Sequence, residues 1–369
     1  MRLGTIYFLP FLFAFAAAQF GGLGGGFTNR FGSGLNRVTD NVQQGVNRFG
    51  SSLKSVPFVS NVKDFADFAA QTGKTYATAA ERKLREGVFA ARQQLVNAQN
   101  AAGKGYELAI NAFADLTKEE FLKQLTGNKK SDSGDAKASK ERVETETPTT
   151  NVPDEFDWRT QGGVTPVKFQ GDCGSCWTFA TVGAMEGHIF RSTGHLPVLS
   201  EQNLVDCGPI DYGLDGCDGG FQEYAFAFIK DIQNGVVAYN EEYPYLDRKE
   251  TCRYDPETKL TPMKGFVAIK PQDEKTMKEV VATLGPLACS INGLESLLLY
   301  KRGIYADEEC NKGEVNHAVL VVGYGSEEGK DYWIVKNSWD KSWGEDGYFR
   351  LPRGSNFCGI ASECSYPIY

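Results

Sequence analysis

Gln170-Gly-Asp-Cys-Gly-Ser-Cys176-Trp places a thiol, Cys176, where a helical pattern begins that runs toward Gly194. The unpaired N–H groups of a helix start favour thiolate over thiol, which is one way to make a cysteine nucleophilic. A structural disulfide, a zinc knuckle and a dithiol redox pair compete with that reading. Zinc requires a second ligand pair at knuckle spacing, and the sequence holds no other close Cys pair or Cys/His cluster. No metal and no cofactor are therefore expected. A redox pair leaves unexplained the residues that follow.

A nucleophilic cysteine needs a base, and the chain has three histidines. His188 lies on the same helical pattern about 18 Å beyond Cys176 at the usual helical rise, too far to take its proton. His195 follows Gly194 at the helix exit and is expected in solvent. His317, in Val-Asn-His-Ala-Val, opens a strongly strand-like run that would hold an imidazole on a rigid element. A base also needs a partner that fixes its tautomer, and Asn337-Ser-Trp339 closes the next strand-like run. Taken singly, each is a common structural residue. The ordered set of Cys, His and Asn favours nucleophilic catalysis.

Outward from these residues, Lys264–Ile269, Pro286–Ile291, His317–Gly325, Asp331–Trp339 and Gly347–Leu351 are rich in β-branched and aromatic side chains. Helices come first and strands second, which predicts an α+β unit of two lobes over residues 152–369. All nine cysteines lie after residue 172, so cross-linking is confined to that unit. Residues 61–126 show apolar and aromatic side chains such as Phe65 and Phe68 at helical spacing, with Thr117-Lys-Glu-Glu as a capping-box start. Between the two units, residues 127–151 are almost free of apolar side chains and read as an exposed, cleavable linker.

The first 18 residues carry Arg2, an apolar run and small residues, the order of a secretory signal peptide. Residues 19–60 are rich in Gly, Asn and Ser and read as a flexible segment. No later segment is long and apolar enough to span a membrane, and no Asn-x-Ser/Thr glycan acceptor occurs. The expected location is the secretory pathway, in a lysosome or outside the cell. Residues 1–151 carry 19 Lys/Arg against 14 Asp/Glu, and residues 152–369 carry 20 against 33. A basic front on an acidic back favours intramolecular docking and gives no sign of nucleic-acid binding.

These residues, in this order, resemble the papain family of cysteine peptidases, and within it the cathepsin L-like enzymes. The likeness covers residues 152–369 and includes Asp157-Trp-Arg159, Cys217-Asp-Gly-Gly220, Gly323-Tyr-Gly325 and Trp343-Gly344. It implies a papain-like fold with a helical lobe carrying Cys176 and a β-barrel-like lobe carrying His317 and Asn337. Upstream, Glu81, Arg85, Phe89, Arg92, Val96 and Asn100 fall on one helix face. They resemble the inhibitory propeptide of the same subgroup, with Arg92 where Asn and Val96 where Ile is usual. Asn111-Ala-Phe-Ala-Asp115 resembles its second motif, with Ala109 in place of the leading Gly.

The resemblance implies an endopeptidase zymogen that acts on protein and peptide substrates, is inhibited by its own propeptide and works as a monomer. It assigns the nucleophile to Cys176, the proton carrier to His317, its orientation to Asn337 and the oxyanion hole to Gln170 with the Cys176 N–H. Gly219 and Gly220 would hold the substrate backbone, with Asn316 and Trp339 beside it. The pocket for the second residue before the cut (P2) would be lined by Phe221, Gln222, Ser290, Val315, Ala318 and Glu363. Glu363 stands where a small residue is usual, and a carboxylate there predicts acceptance of Arg as well as apolar side chains. The implied bridges are Cys173 with Cys217, Cys207 with Cys252 and Cys310 with Cys358. Cys289 and Cys364 flank two pocket residues, leaving a fourth bridge or two buried thiols. A non-catalytic binding or inhibitor protein on the same fold is the alternative, against which intact Gln170, Cys176, His317 and Asn337 weigh.

Overall fold

Six helical starts carry their own acceptor in the sequence: Asp64, Thr78, Thr117, Ser131, Ser200 and Asp273 each accept a hydrogen bond from a first-turn N–H. In the computed structural model, which describes Val56 and residues 59–143 and 151–369, these caps begin α1 (Phe65–Thr72), α2 (Ala79–Ala101), a short turn Lys118–Glu120, α3 (Asp132–Glu141), α5 (Glu201–Cys207) and α7 (Glu274–Thr283). Between α3 and α5 lies α4 (Cys176–Thr193), and between α5 and α7 lies α6 (Gln222–Ile232). The expected signal peptide, nearly all of the Gly-rich segment and residues 144–150 lie outside the described residues.

The strands are β1 (Tyr106–Leu108), β2 (Phe156–Asp157), β3 (Gly265–Ala268), β4 (Leu287–Ile291), β5 (Tyr300–Gly303), β6 (His317–Glu327), β7 (Lys330–Lys336), β8 (Tyr348–Pro352) and β9 (Cys364–Ile368). Seven of them form an antiparallel sheet in the order β3-β9-β4-β6-β7-β8, with β2 pairing onto β6. Central β6 is buried through its first nine residues because it is covered on both faces, which is why it reads as a continuous apolar run. One of those faces meets α4, which is buried nearly all round. Gly183 on α4 lets Leu320 of β6 approach: a Cβ there would lie 2.7 Å from Leu320 Cδ2. That close packing joins the helical lobe to the sheet lobe.

The front domain is built on Phe65, Phe68 and Phe89, whose rings meet at centroid distances of 5.0 to 6.0 Å. All three are nearly fully buried, and each burial contributes about 1.5–3 kcal/mol. Asn100 exchanges two 2.9 Å hydrogen bonds with the backbone of Leu108, which ties α2 to β1. Arg85 pairs with Glu120, and Lys74 and Tyr76 both reach Asp115. β1 then pairs with β5, so the front domain adds a strand to the peptidase unit.

Two expectations needed correction. Residues 127–143 are not an exposed linker: residues 127–130 cross the cleft, and α3 packs against α6 with Ala138 fully buried. Low apolar content misled because this segment is held by backbone pairing and by Arg142 on Glu223 rather than by a core of its own. Helices do not all come first, since α7 lies among the strands and places Met277, Val280 and Val281 on one buried face behind its Asp273 cap.

Four cysteine pairs are bonded: Cys173–Cys217, Cys207–Cys252, Cys289–Cys364 and Cys310–Cys358. Cys289 and Cys364 stand directly opposite each other on β4 and β9. Cys176 remains free. Thiol titration of denatured, unreduced mature protein should find one thiol; three would contradict the Cys289–Cys364 bridge.

Candidate active site

The N-cap of α4 is Ser175, whose side chain makes no cap bond and turns instead to the Tyr245 hydroxyl at 2.6 Å. The first N–H groups of α4 are left for the Cys176 sulfur, which accepts from the Cys176 and Trp177 backbone. Ala318 N–H, one residue past His317, donates to the same sulfur at 3.4 Å. α4 and β6 thus bring Cys176 to the start of the strand that carries His317.

His317 is fully buried, with Nε2 2.8 Å from Asn337 Oδ1. Ser338 N–H donates to that oxygen as well, at 2.8 Å, which fixes the amide orientation. An amide oxygen only accepts, so Nε2 carries hydrogen and neutral His317 presents a lone pair at Nδ1, which has no protein partner. Trp339 stacks on the imidazole at 4.8 Å between centroids and shields the Asn337 contact. A ring held in this way can take a proton at Nδ1 and return it.

Gln170 is buried beside them. Its Oε1 accepts from Ser338 Oγ at 2.6 Å, so Nε2 is presented as donor. That donor meets Gln124 O, from the front domain, and Cys173 O, both at 2.9 Å. Trp339 Nε1 donates to Leu125 O at 3.0 Å. Gly127 lies so close that a Cβ on it would overlap the Gly174 carbonyl. Gln170 Nε2, the side-chain donor suited to a developing oxyanion, is capped by carbonyls of the chain itself.

The path continues across the cleft. Gly127 and Asn128 N–H both donate to Asn316 O, Gly220 N–H donates to Gly127 O, and Lys129 N–H donates to Gly220 O at 2.7 Å. A Cβ on Gly219 would press on Gly127 O and the Lys129 side chain. Asn128 Nδ2 reaches Ser290 Oγ at 2.7 Å, and Lys130 lies over the Phe221 ring with its ammonium 2.8 Å from Glu363 Oε1. Gln222 donates to Ser290 Oγ and to Glu363 O. Val315 and Glu363 line one groove, and Ala318 pairs with Ser290 across β4 and β6. Every pocket residue singled out from the sequence is gathered here. Ser338, Asn128 and Lys130 were missed: Ser338 adjoins Asn337, but nothing local marks the other two.

Of the remaining histidines, His188 is buried, bonded to Pro286 O at 3.1 Å and stacked on Tyr366, while His195 is exposed. Neither joins the site.

Burial in the propeptide-bound form sets the electrostatics. It pushes the Cys176 thiol up to about 12 against the pull of the Ala318, Trp177 and Cys176 N–H groups, and pushes His317 down to about 4 against the pull of Asn337. Both groups are held neutral. Across the interface Arg92 reaches Glu295 at 2.5 Å, and Lys130 and Arg142 reach Glu363 and Glu223. The opposite charges of the two halves meet as individual pairs. Among the described residues no cluster of side chains is suited to a metal ion, and no helix is long and apolar enough to cross a membrane.

Comparison with known proteins follows the same division. Residues 152–368 match the papain family cysteine protease model, and residues 65–121 match the cathepsin propeptide inhibitor domain. The chain is 42% identical to a cathepsin L-like peptidase of Aedes aegypti over 87% of this chain and 97% of that protein. It is 43% identical to human cathepsin L2 over 74% and 82%. The solved structure of digestive procathepsin L 3 from the larval midgut of Tenebrio molitor superposes with a TM-score of 0.74 at 37% identity, covering 82% of this chain and 97% of that one. The chain belongs to the papain family of cysteine proteases, as a cathepsin L-like endopeptidase zymogen with its propeptide inhibitor domain in place.

Proposed function

We propose that, once residues 124–130 leave the cleft, Cys176 and His317 exchange a proton to form a thiolate–imidazolium pair that hydrolyses peptide bonds through an acyl-enzyme. The observation that carries this is the Asn337-fixed imidazole with its free Nδ1, set beside a sulfur already bonded by helix-start N–H groups. The thiolate attacks the carbonyl carbon, and Gln170 Nε2 with the Cys176 N–H receives the charge developing on oxygen. Imidazolium then gives its proton to the leaving amine, and water, deprotonated by His317, releases the acid product.

The P2 pocket takes Leu or Phe against Phe221 and Val315, and takes Arg on Glu363. Asn316 and Gly220 present the backbone groups that would hold a substrate strand, since both now hold residues 127–129. The matured protein should cleave both Leu- and Arg-bearing peptides, and a Cys176→Ala control should cleave neither. Cleavage by that control would overturn the assignment. The leader-like sequence and the four bridges support a secretory-pathway enzyme, lysosomal or extracellular.

In the wild type Cys176 and His317 share one proton both docked, as thiol and neutral imidazole, and released, as thiolate and imidazolium, so their exchange adds no pH dependence to release near neutral pH. In the Cys176→Ala zymogen no thiolate can form, and His317, held near 4 by burial when docked, returns toward the ordinary 6.5 on release. A depressed histidine pKa gives stability that is full above the released value and is lost as pH falls toward the docked one. Docking of that variant should weaken by up to about tenfold per pH unit across that window. The check is the rate at which trace mature enzyme cuts the Cys176→Ala zymogen, set against its rate on an unstructured peptide at each pH. A ratio that stays flat with pH would contradict the linkage.

A further inference from the structure

Beside Asn337, the amide partner of the imidazole, lies a narrow cavity of about 20 Å³, lined by Lys168, Glu186, Glu201, Ala318, Lys336 and Asn337 among others. Two side chains at its wall, each over nine-tenths buried, leave a polar atom without a protein partner. Asn337 uses Oδ1 for His317 and Ser338, while its Nδ2 donates to nothing. Glu201 uses Oε1 for Lys168 at 2.7 Å, while its Oε2 accepts from nothing. The Ser338 N–H prevents the amide from turning to exchange its ends. Two residues, one with an unmet donor and one with an unmet acceptor, therefore line a common space, and a buried water needs only about 10–15 Å³ and two to four polar partners.

We infer that this cavity binds one structural water, which accepts from Asn337 Nδ2 and donates to Glu201 Oε2, making Glu201 a positioning residue for His317. This rests on the proposed role of Asn337 in holding the imidazole. The water closes a chain that runs Glu201, water, Asn337, His317. It satisfies two groups whose burial would otherwise cost stability, and it locks the amide from its far side. The charged groups facing it are Lys168 from the loop before Gln170, Glu186 on α4, Glu201 on α5 and Lys336 on β7. Glu186 is already engaged by Thr165 Oγ1 at 2.7 Å and Leu199 N–H at 2.9 Å, and Lys336 donates to Thr165. Two cations and two carboxylates balance there, so the loss of one carboxylate leaves net positive charge behind His317.

The direct test is a crystal structure of the matured enzyme. Ordered density within hydrogen-bond reach of both Asn337 Nδ2 and Glu201 Oε2 is expected; a dry cavity, or a water reaching only one of them, overturns the inference. The functional test is Glu201→Gln, which keeps shape and removes charge. It should lower kcat about tenfold with KM for a Leu-bearing peptide within about twofold, and move the alkaline limb of kcat/KM, where imidazolium loses its proton, down by about half a pH unit. Glu201→Asp keeps the charge and should hold the limb within about 0.2 unit of wild type. A Glu201→Gln enzyme that melts earlier but keeps kcat and the limb assigns Glu201 a structural role only and overturns the inference. If Glu201→Gln fails to fold, a Glu201→Asp limb displaced as far as half a unit does the same. Failure of the wider catalytic reading would instead appear as activity surviving Cys176→Ala.

Discussion

His317→Gln protein, cut free of its propeptide by added mature enzyme, is expected to hydrolyse peptides about 10^4-fold more slowly than wild type, with KM changed little. Gln keeps a side-chain donor near Asn337 but has no group that can take a proton from Cys176 and return it to the leaving amine. General acid–base transfer is worth about 10^2- to 10^4-fold, and the upper end applies because one imidazole serves both half-reactions. The same substitution should return Cys176 to ordinary thiol reactivity at neutral pH, since no cation remains beside it. Alkylation rate and kcat would fall together. Activity within about tenfold of wild type would show that another group carries the proton, although His188 and His195 are both placed where they cannot.

Glu363→Ala should separate the two substrates that the proposed P2 pocket would accept. Cleavage after Arg at P2 is expected to drop about 30- to 100-fold in kcat/KM, while cleavage after Leu stays within about threefold. Lys130 already shows that the pocket seats a cation: its ammonium reaches Glu363 Oε1 and lies over Phe221. Glu363 Oε2 is buried with no protein partner, and Gln222 Oε1 is likewise unmet. An ammonium satisfies one carboxylate oxygen, whereas a guanidinium fork reaches two. The carboxylate therefore points into the pocket rather than out to solvent, in a side chain 17% exposed. Equal losses for Arg and Leu would mean that Glu363 shapes the pocket without reading charge.

The candidate site was legible in the sequence because its residue types are few and ordered. Three histidines, of which one opens an apolar strand, and one Asn closing the next run leave little room for another base, while the family likeness singled out Cys176 among nine cysteines. The helix that carries Cys176, the strand that carries His317 and the strand that leads into Asn337 follow from local pattern and apolar runs. What the sequence hid depends on partners far along the chain. Residues 127–143 lack apolar side chains, yet they are ordered by Asn316, Gly220, Tyr224 and Glu223, none of which is near in sequence. Lys130 looks like any surface lysine until Glu363 is placed beside it. Arg92, where Asn is usual, gains a meaning only through Glu295, 203 residues away. Ser338 and the cavity behind Asn337 are properties of packing, and no periodicity announces them.

The central claim is that propeptide burial keeps Cys176 and His317 neutral and that their ion pair forms on release. Cys176 is the one cysteine outside a disulfide, so its alkylation rate reports that thiol alone. Measured against pH, the intact zymogen should label as a thiol pushed up to about 12, with almost no reaction at neutral pH. The matured enzyme should label rapidly from pH about 5 upward, as a cysteine paired with a histidine cation does. Matching pH profiles before and after maturation, differing only by a constant factor for access, would contradict the account.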